Sequence, residues 1–423
     1  MGDGTRPVGL RGIPTPIWAL GFVSMFMDIS SEMIHALLPT YLVSVIGASV
    51  LVVGIIEGIA EATASIVKVF SGALSDWLGK RKILAVAGYG LAALTKPIFP
   101  LGSTVGWIAA ARFLDRVGKG LRGAPRDALV ADLAPPSLRG ASFGLRQSLD
   151  TIGAFAGPGL AIALMWLTSD HYQTVFWVAV IPAVVAVALL QFGVQEPERA
   201  EATQTPRWPL RLSELKRLGS IFWIVTGAAT LFTLARFSEA FLLLRAQGAG
   251  LPVALLPVVL VIMNVVYTIV AYPAGLLSDR TNRINVLAAG LLLLILADLL
   301  LAIDGGLIVV MAGVALWGAH MGFTQGLLSA LLADASPPEL RGTAFGIFNL
   351  ISGLALLIAS VVAGALWQRF GAPATFLSGA ALTVIALLSL AAIRRRLPRL
   401  GTPPQAELSG PGAVQARQDP PRR

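Results

Sequence analysis

The sequence predicts an all-α membrane protein of twelve transmembrane helices, built as two pseudo-symmetric six-helix bundles. Three observations carry that prediction. The 423 residues are 56% apolar and only 13% charged, with a mean hydropathy of +0.77. Apolar runs of membrane-crossing length recur from end to end. Two separate motifs of the first half reappear in the second at nearly one offset.

A soluble domain carries roughly 25% charged residues. A chain this poor in charge cannot coat a water-facing surface of its own size, so the lipid bilayer is the expected solvent. The formal net charge is +9, but the basic residues fall mostly in short loops on one side, so a nucleic-acid partner is not expected. Cysteine is absent, which excludes disulfides and thiolate metal sites. The first apolar stretch is too long for a cleavable signal and lacks a small-residue cleavage site.

Each crossing needs roughly 20 apolar residues. The runs lie at about 16–44, 49–72, 82–103, 105–132, 141–166, 173–194, 218–246, 252–278, 284–303, 306–333, 342–368 and 374–394. One set of connections receives Arg6, Arg11, Lys80, Arg81, Lys82, Arg139, Arg207, Arg211, Lys216, Arg217, Arg280, Arg283, Arg341 and Arg394 to Arg396. The other receives Arg369 and Arg245. Basic residues stay on the cytoplasmic side, so both termini and the central loop are expected there, in a bacterial-type inner membrane. The domains read as a cytoplasmic N-terminus (1–15), a first bundle (16–194), a polar linker (195–217), a second bundle (218–396) and a Pro-, Gly- and Arg-rich disordered tail (397–423).

The internal repeat is the strongest signal. Residues 131–144 read ADLAPPSLRGASFG and residues 333–346 read ADASPPELRGTAFG, with Asp132 and Asp334 202 residues apart. Gly72-Ala-Leu-Ser-Asp76 recurs as Gly275-Leu-Leu-Ser-Asp279, 203 residues on. Shared turn chemistry explains a Pro-Pro or an Arg-Gly, but not two motifs at matching offsets. An even number of crossings within the offset makes the repeats parallel, a plan in which the binding site sits near the midplane between the halves.

These residues resemble the major facilitator superfamily. Gly72 to Lys82, with Asp76, Gly79 and Arg81, is similar to that family's loop 2–3 signature. The second copy, with Gly275, Asp279 and Arg283, has Asn282 near the place of the second glycine. Arg112 to Gly120 resembles the fourth-helix motif. Gly144, Gly153, Gly157 and Pro158 resemble the fifth-helix antiporter motif, so the chain looks closest to the drug:proton antiporter branch; after Pro158, Gly159-Leu160-Ala161 departs from the pattern. The resemblance implies that Asp76 pairs with Arg122 or Arg126 in a cytoplasmic gate.

Charges at membrane depth cost at least about 2.5–3.5 kcal/mol each, so each is a site candidate by default. The first span carries Asp28, Glu32 and His35 on one helical face. The second carries Glu57 and Glu61, then Lys68. The fourth carries a stripe of Arg112, Asp115, Arg116, Lys119, Arg122 and Arg126. The fifth adds Arg146 and Asp150, and the seventh Arg236 and Glu239. Acids and bases nearly balance, so many can serve as a satisfied ion-pair scaffold. The resemblance implies that spans 1, 4, 7 and 10 line the solute path, which adds His320 and Gln325. A carboxylate that moves between a wet and a low-dielectric surrounding loads and releases a proton, which makes Asp28, Glu32 and Glu239 the proton-coupling candidates. It implies a monomeric secondary transporter that exports a small organic or amphiphilic solute in exchange for protons. Uptake of an organic anion, drawn by the basic stripe, and a non-transporting receptor on the same fold are the alternatives. No P-loop, nucleophile elbow or zincin pattern occurs, and no His-x-x-His. Enzymatic activity, a cofactor and a resident metal are therefore not expected.

Overall fold

A computed structural model of the chain describes residues 13–78, 80–135, 138–195, 217–337 and 340–396, and the regular structure among them is helical throughout. The helices are α1 (Thr15–His35), α2 (Leu38–Ser44), α3 (Val50–Leu78), α4 (Arg81–Thr95), α5 (Ile98–Leu101), α6 (Val105–Leu133), α7 (Arg139–Leu167), α8 (Tyr172–Gly193), α9 (Gly219–Ala235), α10 (Ala240–Gly248), α11 (Val258–Arg280), α12 (Arg283–Ala302), α13 (Gly306–Asp334), α14 (Arg341–Phe370) and α15 (Ala372–Arg396). Three spans are broken: α1–α2, α4–α5 and α9–α10 each make one crossing. Pro39 in the first turn of α2 and Pro97 at the cap of α5 account for two breaks, because proline donates no backbone N–H. The third has no proline. There Arg236 is extended (φ −111°, ψ 101°) and a polar run to Glu239 separates α9 from α10. Open backbone at membrane depth is tolerated where it is enclosed by protein or lines water.

Among the described residues eleven helical segments are long and apolar enough to cross a membrane. The twelfth crossing is α6, which fails on composition because it carries the charged stripe. Its Arg112, Asp115, Arg116 and Arg122 are buried inside the protein, so the lipid never meets them. Several helices outrun the apolar windows read from sequence. The second run ends near residue 72, whereas α3 continues to Leu78, because the helix persists beyond the hydrocarbon. There Ser71 Oγ donates to Gly120 O at 2.8 Å and ties α3 to α6.

The packing pattern of the first six spans recurs in the last six. In the first half α1 packs on α7 and α8, and α6 on α3 and α4; in the second α9 packs on α14 and α15, and α13 on α11 and α12. The halves meet through α3 against α14 and α7 against α11. The α3–α14 seam is close: a Cβ on Gly58 would stand 3.0 Å from Leu357 O, and one on Gly364 3.0 Å from Val50 O.

We call the face at which α1 begins and α15 ends the terminal face. At the opposite face the halves are sealed by an apolar cluster in which Met33, Leu38, Leu42 and Val53 of the first half pack with Ala240 and Leu244 of the second. Gln247 Nε2 also donates to Ser44 Oγ across the same seam at 3.0 Å. The chain has no native cysteine, so this closure is open to direct test. In a Ser44→Cys, Gln247→Cys double variant a short bifunctional thiol reagent is expected to join the two halves in most molecules. Mass spectrometry of the cleaved protein would detect the joined peptides, and recovery of only singly modified cysteines would contradict the closed seam.

Candidate functional site

Between the halves lies a charged cleft of two merging chambers. The inner chamber is lined by Glu32 and His35 of α1, Glu61 of α3, Arg116 and Lys119 of α6, and Arg236, Ser238, Glu239 and Asn264 from the second half. The outer chamber shares Glu32, Glu61 and Lys119 and adds Asp28, Lys68, Arg122, Arg126 and Asp150. Its residues lie nearer the terminal face: Lys119 is fourteen residues into α6 and Arg126 twenty-one. At 1.5 Å per residue these are depths of about 21 and 32 Å from the opposite end of that helix.

Local sequence explains how the groups converge. Asp28, Glu32 and His35 repeat at helical spacing on α1, and the α6 stripe does the same. Two glycines of the fifth span then bring α7 against α1 beside the acids. A Cβ on Gly153 would stand 2.6 Å from Met25 O and 3.0 Å from Asp28 Cβ; one on Gly157 would stand 2.8 Å from both Ile29 O and Glu32 Cβ. Small residues permit such backbone approach. Gly144, on the same motif, faces open space, and Pro158 continues α7 without ending it.

The charges divide into two populations. One is paired and buried. Arg112 grips Glu57 through two hydrogen bonds, Nε to Oε1 at 3.1 Å and an Nη2 to Oε2 at 2.7 Å, with both residues no more than 2% exposed. Lys96 Nζ donates to Asp115 at 2.8 Å and to Ser31 Oγ at 3.0 Å. Arg146 holds Asp150 at 2.7 Å, and Arg126 donates to Ser24 Oγ at 3.0 Å and Asp127 at 3.1 Å; these pairs reach the wall of the outer chamber, where Arg126 and Asp150 line it. The other population faces the cleft. Arg116 meets Glu61 at 3.3 Å. His35 bridges Glu32 at 3.4 Å and Glu57 at 3.7 Å. Among the described residues Asp28, Lys68, Lys119, Arg236 and Glu239 have no opposite charge within 4.0 Å, although all five line the cleft.

The structure thus relocates several expected cavity residues. Arg112, Glu57 and Asp115 are fastened inside the first half and do not line either chamber, because an ion so far from water needs a partner at contact distance. His320, expected on the solute path, is fully buried within the second half, its Nδ1 3.2 Å from Gly290 O and its ring against Phe232 and Trp317. Gln325 is half-buried on α13 and lines neither chamber.

In the gate motifs, Gly72 leaves α3 near Ala124 of α6. Arg81 donates to Asp132 at 2.6 Å and to Ala128 O at 2.8 Å, so the two repeated motifs of the first half meet. The same offset sets Arg283 and Asp334 at the corresponding helix ends of the second half. Arg122 lies over the Tyr89 ring, 4.8 Å from its centroid. Gly275 is half-buried with open space beside it. Asn282 Oδ1 accepts from Ile284 N at 2.9 Å and caps α12, which accounts for an Asn where the signature carries glycine. Gly79 and the side chains of Asp76 and Asp279 lie outside the described residues.

Sequence reasoning passed over Lys96, Asn264 and Asp298. The signal for Lys96 and Asp298 was a lone charge inside the third and ninth apolar runs. Asp298 is fully buried behind the α9–α10 break, and neither carboxyl oxygen has a hydrogen-bond partner among the described residues.

The division predicts different failures. Glu57→Gln and Arg112→Met each strand a buried charge and are expected to cost about 3–5 kcal/mol, read as a large drop in thermal midpoint of the purified protein. Lys119→Met, at an exposed cleft position, is expected to leave that midpoint nearly unchanged. Equal midpoints for all three variants would contradict the sorting.

Comparison with known proteins places this geometry. The model of the Major Facilitator Superfamily matches residues 20–266 and 240–420. An uncharacterised MFS-type transporter of Methanocaldococcus jannaschii is 33% identical over 393 residues, covering 90% of this chain and 95% of the relative. The multidrug resistance protein MdtH of Photorhabdus laumondii is 26% identical, covering 79% of this chain and 82% of that protein. Among solved structures, the nucleoside transporter NupG overlays with a TM-score of 0.70 at 14% identity, covering 90% of this chain and 99% of that one. A POT family transporter in complex with 5-aminolevulinic acid overlays at 0.74 and 13% identity, covering 92% and 99%. With the family matched along nearly the whole sequence and the two-bundle fold in place, this chain belongs to the major facilitator superfamily and is a multi-pass membrane secondary transporter.

Proposed function

We propose that the chain exchanges protons for a small organic or amphiphilic solute and exports that solute by alternating access. The observation that carries this reading is the set of unpaired charges facing one another across the cleft, Asp28, Lys68 and Lys119 from the first half and Arg236 and Glu239 from the second. Paired ions hold a fold; unpaired ions in a wet cleft are free to bind a solute or pass a proton. Asp28, Glu32 and Glu239 are the coupling groups in this proposal. A carboxyl moved between water and a closed, apolar surrounding changes its preference for the proton, so closing one face and opening the other loads and unloads it.

The positively charged loops favour a cytoplasmic terminal face, which makes the conformation described here inward-open, with its opposite face sealed. Rocking of the two halves about the α3–α14 and α7–α11 contacts would exchange the faces. Two similar proteins bear on the cargo only by likeness: MdtH is named for multidrug resistance, whereas the human organic anion transporter MFSD10 shares the fold at a TM-score of 0.59. The second reading, uptake of an organic anion, draws on the three unpaired cations Lys68, Lys119 and Arg236.

Proteoliposomes with an imposed pH gradient separate these readings. Ethidium is expected to move against the proton gradient, whereas a gradient-driven flux of succinate with no ethidium movement would favour the anion reading. Asp28→Asn, Glu32→Gln and Glu239→Gln are each expected to lower the pH-driven flux by about tenfold or more, a loss of roughly 1.4 kcal/mol in the rate-limiting step. Undiminished pH-driven flux in all three would sink the coupling assignment.

A further inference from the structure

The buried Lys96–Asp115 pair of the first half has a counterpart in the second, with both members changed. Gly88 and Gly290, Lys96 and Asp298, and Asp115 and Trp317 are each 202 residues apart, the offset of the repeated Asp132 motif. The two glycines confirm the phase, since each faces the long helix of its half: Gly88 meets Gly118 and Arg122 of α6, and Gly290 meets Phe323 and Thr324 of α13. Ser31-Glu32 likewise recurs as Ser238-Glu239. In the first half these positions close on themselves, with Lys96 Nζ donating to Asp115 and to Ser31 Oγ. In the second half an acid takes the place of the lysine, and an indole takes the place of its partner acid. Asp298 and Trp317 are fully buried, and neither the Asp298 oxygens nor Trp317 Nε1 has a hydrogen-bond partner among the described residues.

The carboxyl stands against the break in the seventh span. A Cβ on Gly379 of α15 would lie 2.7 Å from Asp298 Oδ2, 3.1 Å from Phe237 Cε1 and 3.3 Å from Ala235 O. An acid, an aromatic ring and the last carbonyl of α9 thus surround one point. Ala235 O receives no backbone N–H there, because Arg236 N turns back to Thr233 O and the chain is extended beyond it. Phe237 is also part of the inner chamber wall, so one ring separates the carboxyl from the cleft. The charged groups on the surrounding elements are engaged elsewhere. Arg236 and Glu239 line the inner chamber. Arg245 is bound to Leu301 O, Ile303 O and Asp304. His320 Nδ1 is 3.2 Å from Gly290 O, eight residues along α12 from Asp298 and so about 12 Å away along that axis. The α15 sequence carries no charged side chain before Arg394.

We infer that Asp298 is a proton-binding site, protonated in this conformation and exchanging with the inner chamber past the Phe237 ring. An ionised carboxylate held inside protein without a donor costs several kcal/mol, and beside Ala235 O it would set one acceptor against another. A proton removes the charge and turns the carboxyl into a donor for that neighbourhood. It is the smallest cation that can do in the second half what the Lys96 ammonium does in the first, and the close approach at Gly379 leaves space for nothing much larger. The second bundle then carries a proton of its own, bound at the point where the seventh span bends toward the cleft. Asp298 lines neither chamber, so this inference stands apart from the coupling proposed for Asp28, Glu32 and Glu239.

The test is an infrared difference spectrum of the full chain in lipid, wild type minus Asp298→Asn, at near-neutral pH with N-methylglucamine as the buffer cation. The carbonyl-stretch band of a protonated carboxyl is expected in wild type and lost in the variant, and it should shift on transfer to deuterium oxide. Carboxylate bands in its place would overturn the assignment, as would loss of the wild-type band when sodium replaces N-methylglucamine. Phe237→Ala is expected to speed the deuterium shift by about tenfold or more, as for a locally opened site. An unchanged rate in the folded variant would overturn the route past the ring. Thermal midpoints supply a second reading. Asp298→Asn exchanges one neutral group for another and should leave the midpoint nearly unchanged, whereas Asp115→Asn strands the Lys96 ammonium and should lower it strongly. Equal falls in the two variants would show an ionised Asp298 holding the fold and would overturn the proposal.

Discussion

The cost of holding charge away from water governs this molecule. A membrane helix is normally stripped of ions, yet α6 carries seven charged residues between Arg112 and Asp127. The protein meets that cost in two ways. Some ions are clasped at contact distance inside the first half, as in the Arg112–Glu57 and Lys96–Asp115 pairs. The others are kept at the wall of a cleft, where water supplies the solvation that lipid would deny. The helix can exist only because α3 and α4 cover its flanks, so the fold and the cleft are solutions to one problem.

That constraint also explains why the two halves differ while sharing a packing plan. The first half concentrates acids and bases and is knitted by them. The second is held by aromatic and aliphatic contacts: Phe237 touches Phe241, Trp317 and Phe376 at centroid distances of 5.4 to 5.5 Å. Its contributions to the cleft come chiefly from the break in the seventh span. Opening a helix there costs backbone hydrogen bonds, but it lets Arg236 and Glu239 reach the cleft while Phe241 stays in the core.

Much of this was legible in the sequence, and for physical reasons. Hydropathy and run length fix the crossings, because lipid penalises every polar residue on an outer surface. The repeat of Gly72–Asp76 and of the Asp132 motif exposes the duplication, since the same helix ends must be built twice. The charged residues themselves were visible one by one. Their partners were not: nothing local to Arg112 says that it will meet Glu57, 55 residues away, and nothing local to Lys119 says that it will remain unpaired. His320 shows the limit from the other side. Its place on the tenth span matched a cavity position, but helical phase turned it toward Phe232 and Trp317, and phase relative to neighbouring helices is a tertiary property. Lys96 was hidden by its setting, a single ammonium beside Pro97 in an otherwise apolar run.

The glycine seam of α7 has a mechanical consequence. At Gly153 and Gly157 that helix rests on the α1 backbone with no side chain to act as a cushion, directly beside Asp28 and Glu32. Its other contacts reach across to α11 and to the turn at Val253–Leu255 in the opposite half. Such a helix is a strut: its seat on α1 lies beside two carboxyls, its far contacts lie in the partner bundle, and no side-chain layer separates the α1 and α7 backbones to absorb a shift between them.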